Sequence, residues 1–99
     1  MPVRRFNRKR FGIQNILSVP DVKGVYVILD RFNRPQYVGK SNDLQRRLLD
    51  HFDRGDIGDA RRFTAYQTRT DSAASNLEKK LIRDYCPPYN ILHTEGCED

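Results

Sequence analysis

One continuous apolar segment limits the folds that are open to this 99-residue chain. Residues 24–30 are Gly-Val-Tyr-Val-Ile-Leu-Asp, an almost unbroken apolar run that is rich in β-branched side chains. Such a run is typical of a β-strand that is covered on both faces. Because both faces must then be packed against other elements, the segment predicts a sheet with helices against it.

A second strand is predicted directly after this run. Residues 30–34 are polar and typical of a turn, and residues 35–39 resume an extended pattern, so the two strands are expected to form a β-hairpin. A hairpin with an even-length turn would place Tyr26 and Tyr37 directly opposite each other on one face. On spacing alone, the two tyrosines are either a stacked aromatic pair of the core or part of a site.

The remaining pattern predicts a small α+β domain. The predicted elements, in chain order, are a short helix at 11–18, strands at 24–30 and 35–39, a helix ending near 52, a strand at 61–69, a helix at 72–85 and an extended segment at 89–92. Ser41 or Asn42 is expected to cap the first long helix, and Ser72 the second. This order predicts a three-stranded, mostly antiparallel sheet flanked by helices.

The net charge is concentrated at the N-terminus. The chain has 18 Lys and Arg against 13 Asp and Glu, which gives a formal net charge of +5. Five basic side chains and no acidic one lie within the first ten residues: Arg4, Arg5, Arg8, Lys9 and Arg10. We therefore divide the chain into a basic arm with a short helix (1–19), a folded domain (20–92) and an acidic tail (93–99). The arm predicts a polyanionic partner, and nucleic acid is the first candidate.

What the sequence lacks excludes several classes of protein. There is no GxxxxGK[ST] phosphate loop, no pair of cysteines at zinc spacing, no GxSxG nucleophile motif and no histidine-rich metal site. No apolar run is long enough to span a bilayer, no apolar stretch follows the basic N-terminus, and two cysteines are too few for a disulfide framework. We expect a cytoplasmic protein with no membrane partner.

Three side chains of the first long helix are candidates for chemistry. Asp43, Arg47 and His51 are four residues apart, so they share a stripe that borders the buried one. They are either a surface ion pair beside a histidine, or a guanidinium and an imidazole held over a cleft.

Three further polar residues each allow two interpretations. Glu78 is either a solvated helical side chain or a single carboxylate for Mg²⁺, which often uses only one or two. Lys40 is either surface charge or a phosphate contact, and Asn90 either stabilises a turn or belongs to a site.

Taken together and in order, these residues resemble the signature of the GIY-YIG endonuclease superfamily. Gly24-Val25-Tyr26 resembles its first motif and Tyr37-Val38-Gly39 its second, with Val in place of Ile in both. Five further positions match the family at its usual spacing: Lys40, Arg47, His51, Glu78 and Asn90. The resemblance covers roughly residues 20–92. It is strongest to the N-terminal nuclease module of the bacterial excision-repair incision subunit.

The resemblance implies a metal-dependent endonuclease of DNA repair that hydrolyses phosphodiester bonds. DNA is the first candidate substrate, and RNA is the second. The resemblance assigns one divalent cation, Mg²⁺ or Mn²⁺, to Glu78. It assigns catalytic roles to Tyr26, Tyr37, Lys40, Arg47, His51 and Asn90. Gly39 and Lys40 join the basic residues of the arm as expected nucleic-acid contacts.

Within that mechanism, Tyr26 and Tyr37 jointly activate and position a water, and Arg47 binds the phosphate. Positive charge from Lys40, Arg47 and the cation is expected to favour the tyrosinate form. Specificity would come from the arm, from a protein partner or from a homo-oligomer. Two alternatives remain: a non-catalytic nucleic-acid-binding module of the same fold, and an interaction domain that binds protein.

Overall fold

The structure is a computed structural model and describes residues 3–93 of the chain. Its elements are β1 (Arg4–Arg10), α1 (Ile13–Leu17), β2 (Gly24–Leu29), β3 (Pro35–Ser41), α2 (Leu44–Arg54), β4 (Arg62–Gln67), α3 (Asp71–Tyr85) and a 3₁₀ helix (Pro88–His93). Within these residues the strands form one antiparallel sheet in the order β1-β4-β2-β3. The predicted α+β class is confirmed. Residues 94–99, the bulk of the predicted acidic tail, lie outside the described residues.

The sheet has four strands instead of the three predicted, because part of the basic arm joins it. Residues 4–10 form β1 and pair with β4 at one edge of the sheet. Phe6 is the buried side chain of this strand, and the Thr64 hydroxyl donates a hydrogen bond to the Phe6 carbonyl at 2.7 Å. One apolar residue among polar ones lacks the alternation that predicts a strand. Backbone hydrogen bonds to β4 and burial of Phe6 in the core therefore hold β1 as a strand.

The central strand β2 is buried on both faces along its whole length, as predicted. The core on one side includes Tyr26, Ile28, Leu44, Leu48 and Phe63, and the core on the other includes Val25, Val27, Val38, Ala74 and Leu81. Helix α2 therefore covers one face of the sheet and α3 covers the other. Burying a side chain of Val or Leu size contributes about 1.5–3 kcal/mol, so both faces are needed to hold a domain of this length.

The β2–β3 hairpin has a different register from the predicted one. Tyr26 lies opposite Gly39, and Tyr37 lies opposite Ile28, so the two tyrosines are not direct neighbours. The register changes between Ile28 and Leu29, next to the turn at 30–34, where the Asp30 carboxylate accepts hydrogen bonds at 2.8 Å from the backbone N–H groups of Phe32 and Arg34. The shift is by an even number of residues, and side chains alternate with period two, so both tyrosines still lie on the same face.

Both long helices begin at caps other than the predicted ones. Asp43 caps α2 instead of Ser41 or Asn42, and Thr70 caps α3 instead of Ser72. Each side chain accepts the N–H of the residue three positions further on, at 3.0 Å. This bond satisfies one of the free donors in the first turn, which is why such residues are favoured there.

The C-terminal described segment forms a 3₁₀ helix where an extended chain is predicted. The Asn90 N–H donates to the Pro87 carbonyl at 3.0 Å, which closes a helical turn. This segment packs against β3, the edge strand at the far side of the sheet from β1. In the described range, no helix is both long and apolar enough to cross a membrane.

Candidate active site

A cavity of about 400 Å³ opens beside β3, at the edge of the sheet that α2 and α3 both reach. Six of the residues singled out by sequence line this cavity: Tyr26, Tyr37, Lys40, Arg47, His51 and Glu78. Because α2 and α3 pack on opposite faces of the sheet, their side chains meet only where the sheet ends. The edge position of β3 therefore brings Arg47 and Glu78 into the same cavity.

Tyr26, His51 and Asp56 form a continuous hydrogen-bonded chain at the base of the cavity. The Tyr26 hydroxyl lies 2.7 Å from His51 Nε2, and His51 Nδ1 lies 3.0 Å from Asp56 Oδ1. An ionised carboxylate only accepts hydrogen bonds, so the Nδ1 atom carries a proton. The neutral imidazole then accepts at Nε2, and the Tyr26 hydroxyl donates to it.

The environment of Tyr26 keeps its hydroxyl protonated. Burial raises the pKa of Tyr26 far above its ordinary value, and the neighbouring Tyr37 raises it further. The positive charge of Arg47 lowers this pKa, but by less than burial raises it. Loss of hydration therefore outweighs the charge of Arg47 at this side chain, which is 1% exposed. The expected effect of Lys40 and of a bound cation on Tyr26 stays a prediction.

Tyr37 lies beside this chain and is more accessible. Its ring centroid is 6.0 Å from that of Tyr26 and 5.1 Å from that of His51. Unlike Tyr26, it is only half-buried. The three rings therefore form one cluster in which Tyr37 is the member nearest to solvent.

Gly39 provides the space that the Tyr26 ring occupies. Gly39 lies opposite Tyr26 on the neighbouring strand and is buried. A Cβ atom at this position would overlap the Tyr26 phenol. In the structure, the side of Gly39 where a Cβ would lie faces Tyr26. The nucleic-acid contact that the resemblance implies for Gly39 stays a prediction.

Replacing Gly39 with Ala is therefore expected to destabilise the protein by about 1–3 kcal/mol, because an inserted methyl group forces a packed core to shift. The measurement is urea unfolding followed by circular dichroism. The Gly12→Ala variant is the matched control, since a Cβ atom at Gly12 meets nothing within 4 Å. Equal unfolding midpoints for the two variants would contradict the packing role of Gly39.

Glu78 presents an unpaired carboxylate to the cavity. It makes no hydrogen bond or ion pair with any described residue. Burial raises the pKa of Glu78, while the charges of Lys40 and Lys79 oppose that rise. Lys40 itself donates to the Ser75 hydroxyl at 2.8 Å, one turn before Glu78 on α3.

The donor set of the cavity suits one hard divalent cation better than a multi-ligand metal centre. No group of three or more His, Cys, Asp or Glu side chains able to hold a metal occurs among the described residues. A single partly buried carboxylate that faces a cavity of this size leaves room for water and for phosphate oxygens. Mg²⁺ commonly binds in this way, through one or two carboxylates, so Glu78 fits such an ion.

Arg47 offers its guanidinium to the cavity without an internal partner. It is exposed and forms no side-chain hydrogen bond or ion pair within the described part of the chain. Its neighbour Arg46 instead points to Asp50, with the Nε and Oδ1 atoms 3.8 Å apart. The planar donor fork of Arg47 is therefore available for an anionic ligand.

Asn90 lies outside the cavity and holds the edge of β3. Its Oδ1 atom accepts the N–H of Val38 at 2.7 Å, and its Nδ2 atom donates to the carbonyl of Val38 at 2.9 Å. Because β3 is an edge strand, these backbone groups have no strand partner on that side. Asn90 thus takes the place of a further strand and fixes the position of Tyr37, the residue before Val38.

Sequence reasoning missed Asp56 and Tyr89, which also line the cavity. Tyr89 accepts the N–H of Gly58 at 2.9 Å and so ties the loop after α2 to the 3₁₀ helix. That loop carries Asp56, the carboxylate that bonds to His51. The left-handed Gly55 after α2 was a possible signal, because such a residue turns the chain back over the last helical turn.

The five basic residues of the arm lie away from the cavity, on β1. The Arg4 guanidinium lies 4.6 Å from the centroid of the Phe6 ring, and that of Arg5 lies 5.8 Å from that of Tyr66. Both arginines are exposed. The structure therefore separates the predicted residues into a cavity group and a basic strand.

Comparison with known proteins agrees with this geometry. Residues 22–91 match the family model of the UvrC-like GIY-YIG domain. The chain is 34% identical over 93 residues to UvrABC system protein C of Aquifex aeolicus, and 32% identical over 100 residues to that of Nitrosomonas eutropha. These alignments cover 85% and 93% of this chain but only 16% of each relative, so the chain corresponds to a small part of them.

Solved structures give the same result. The GIY-YIG N-terminal endonuclease domain of UvrC from Thermotoga maritima, bound to its catalytic magnesium, is similar with a TM-score of 0.70 at 30% identity. This match covers 79% of the present chain and 94% of the solved chain. A point mutant of the same domain in which alanine replaces an asparagine, also bound to its catalytic divalent cation, matches with a TM-score of 0.69.

Proposed function

Because the chain belongs to the UvrC-like GIY-YIG domain family, we propose that it is a metal-dependent endonuclease that hydrolyses phosphodiester bonds in DNA. The observation that carries this proposal is the cavity in which Glu78, Arg47 and the two tyrosines meet. A cation-binding carboxylate, a phosphate-binding guanidinium and a water-positioning group are the parts that phosphodiester hydrolysis requires. DNA repair is the process in which we place this activity.

Glu78 would hold the divalent cation, Mg²⁺ or Mn²⁺. Its carboxylate has no protein partner among the described residues, and burial already disfavours its charge. A bound cation neutralises charge on a phosphate oxygen and stabilises the leaving oxygen. Lys40, bonded to Ser75 on the same helix as Glu78, adds positive charge where the phosphate would lie.

Arg47 binds the phosphate and stabilises the charge that builds on it during attack. Its guanidinium is exposed to the cavity and, within the described chain, has no anion to release first. Two parallel N–H groups can bind two phosphate oxygens at once, which orients the phosphate as well as attracting it.

Tyr26 and Tyr37 position the attacking water. The hydrogen-bonded series Tyr26–His51–Asp56 takes a proton from that water. The Tyr26 hydroxyl donates to His51 Nε2, so its lone pairs are left to accept a hydrogen bond from the water. As the water attacks, Tyr26 passes its proton to Nε2 and receives one from the water. The Asp56 carboxylate then stabilises the imidazolium at Nδ1. This route requires no free tyrosinate, which agrees with the raised pKa of Tyr26.

The basic strand β1 supplies contacts to phosphates outside the cavity. Contacts to phosphates hold the duplex without reading its sequence. A cavity that recognises a phosphate does not read the sequence either. We therefore place the choice of cleavage site in a protein partner or in a second copy of the chain. Residues 4–10 form a strand of the sheet, so substitution of single arginines tests this role better than deletion.

The experiment that tests the proposed function is nicking of supercoiled plasmid with Mg²⁺ or Mn²⁺, with and without EDTA. We expect nicked circles that depend on the metal and disappear with the chelator. Branched, nicked and duplex oligonucleotides, together with a matched RNA, define the substrate. DNA binding without any metal-dependent cleavage would contradict the enzyme and favour the non-catalytic binding module.

A further inference from the structure

A second cavity, of about 470 Å³, lies at the end of the sheet where β1 ends and β4 begins. It is lined by Arg10, Phe11, Arg31, Ala60, Arg61 and Arg62, which we call the arginine pocket. Four of these six residues carry a guanidinium. None of them lines the cavity that contains Glu78.

The arginine pocket has a large excess of positive charge. In the described part of the chain, the acidic side chain paired with these arginines is Asp59, whose carboxylate lies 3.3 Å from Arg31 Nε and 2.9 Å from Arg61 Nε. Hydrogen bonds from Arg61 and then from Arg31 lower the pKa of Asp59, so this carboxylate stays ionised. Within the described residues, one negative charge against four positive charges leaves the pocket strongly cationic.

Two of the arginines are placed side by side by the sheet itself. Arg10 on β1 lies directly opposite Arg62 on β4. Side chains in such a pair have Cβ atoms about 4.5–5.5 Å apart, and like charges there are destabilising. Neither guanidinium has an acidic partner among the described residues. An oxyanion between the two would relieve this repulsion through charge-assisted hydrogen bonds.

The pocket is close to the catalytic cavity along the chain. The loop after α2 contributes Asp56 and Ile57 to the catalytic cavity, and Ala60 and Arg61 to the arginine pocket. Arg61 lies four residues after Ile57, so their Cα atoms are at most about 14 Å apart when the chain is fully extended. One strand of DNA advances about 3.4 Å along the axis for each phosphate, so this length corresponds to about four nucleotides.

We propose that the arginine pocket binds a backbone phosphate of the DNA, a few nucleotides from the phosphodiester in the catalytic cavity. This inference rests on the proposed function and adds a second phosphate site to it. Two fixed phosphates set both the position and the direction of the strand, which one phosphate cannot do. The pocket therefore contributes to binding and to placement of the strand, and the chemical step remains with the catalytic cavity.

The test is binding of a fluorescent duplex in EDTA, followed by anisotropy at several salt concentrations, so that no cleavage occurs. The pocket variant is Arg10→Gln with Arg62→Gln, and the control is Arg69→Gln with Arg83→Gln. Both variants lose two positive charges, and the control residues are exposed and outside both cavities. We expect weaker binding by the pocket variant only, with a salt slope flatter by about one for each phosphate that is no longer neutralised.

A second measurement, urea unfolding, distinguishes loss of the arginine pocket from misfolding of the variant. The control variant distinguishes it from a general loss of positive charge. The pocket variant is expected to unfold at an equal or higher urea concentration than the wild type, because a like-charged pair is removed. If it unfolds earlier, the Arg10→Gln variant alone is used, since Arg10 is an exposed residue at the end of β1. An equal loss of DNA affinity in the pocket and control variants would overturn the proposal.

A third measurement distinguishes a DNA phosphate from a free phosphate ion in the arginine pocket. It also distinguishes failure of this proposal from failure of the proposed function. Inorganic phosphate is titrated by NMR on the arginine Nε–H signals. If it saturates the pocket while the pocket variant binds DNA like wild type, the site takes a free anion and the proposal is wrong. In that case wild-type nicking would still support the proposed function. A wild-type protein that neither binds nor nicks DNA would overturn both.

Discussion

Replacing Glu78 with Gln is expected to reduce Mg²⁺-dependent plasmid nicking by about 10³-fold or more, because a metal contributes several kcal/mol to the transition state and about 1.36 kcal/mol is a factor of ten. The substitution keeps the shape of the side chain and removes its charge. Because Glu78 makes no hydrogen bond or ion pair with the described residues, the fold does not depend on its carboxylate. Single-turnover nicking over a range of Mg²⁺ concentrations measures the effect.

The stability of the Glu78→Gln variant tests independently whether the fold depends on the Glu78 carboxylate. Burial raises the pKa of Glu78 in the folded state, so its ionised form is less favourable there than in the unfolded chain. This loss of stability is absent below the pKa that Glu78 has in the unfolded chain. It develops as the pH rises through the higher pKa that Glu78 has in the folded state. At neutral pH the variant is therefore expected to unfold at the same or a higher urea concentration than the wild type.

A matched control lies on the same helix. Asp84→Asn also removes one carboxylate from α3, but Asp84 is paired with Lys80 at 2.7 Å and is outside the cavity. We expect this variant to nick plasmid at the wild-type rate. Wild-type nicking by Glu78→Gln would show that Glu78 does not hold the cation.

The parts of the fold that were predicted correctly depend on local pattern. The apolar run of β2 marks a strand buried on both faces, and regular apolar spacing marks α2 and α3. Two helices on opposite faces of a short sheet have few ways to pack. The convergence of Arg47, His51 and Glu78 on one cavity was therefore within reach of sequence reasoning combined with a family resemblance.

The parts that failed depend on interactions between distant segments. β1 has one buried side chain, Phe6, and becomes a strand through the free edge of β4. The hairpin register changes at an irregularity between Ile28 and Leu29, next to a turn in which the Asp30 side chain accepts hydrogen bonds from two N–H groups. A strand edge or a side-chain hydrogen bond of this kind has no periodic signal.

Asp56 shows the same limit within the site. Asp53 and Asp56 both follow His51 closely, and sequence does not distinguish which of them reaches its ring. The left-handed conformation of Gly55 turns the chain so that Asp56, and not Asp53, bonds to Nδ1. Tyr89, further along the chain, then holds this loop through the N–H of Gly58. Neither interaction can be inferred from local spacing.

Replacing Arg47 with Ala is expected to lower kcat for nicking by about 10²–10³-fold, as for the loss of one donor to a transition-state oxyanion. Binding is expected to weaken much less, because other basic side chains still attract the duplex. The rate is affected more than binding because negative charge on the phosphate oxygens grows during attack. A fixed guanidinium therefore interacts more strongly with the transition state than with the ground state. Single-turnover rates at saturating enzyme, together with anisotropy in EDTA, separate the two effects.

Arg46→Ala is the control that makes this result specific to the cavity. Arg46 precedes Arg47 on α2, carries the same charge and is exposed, but it faces Asp50 and does not line the cavity. Removing it changes net charge by the same amount, so it reports the general electrostatic contribution to DNA binding. If Arg47→Ala lost affinity at an unchanged kcat, Arg47 would only tether the phosphate, and the charge stabilisation assigned to it would have to come from Lys40 and the cation.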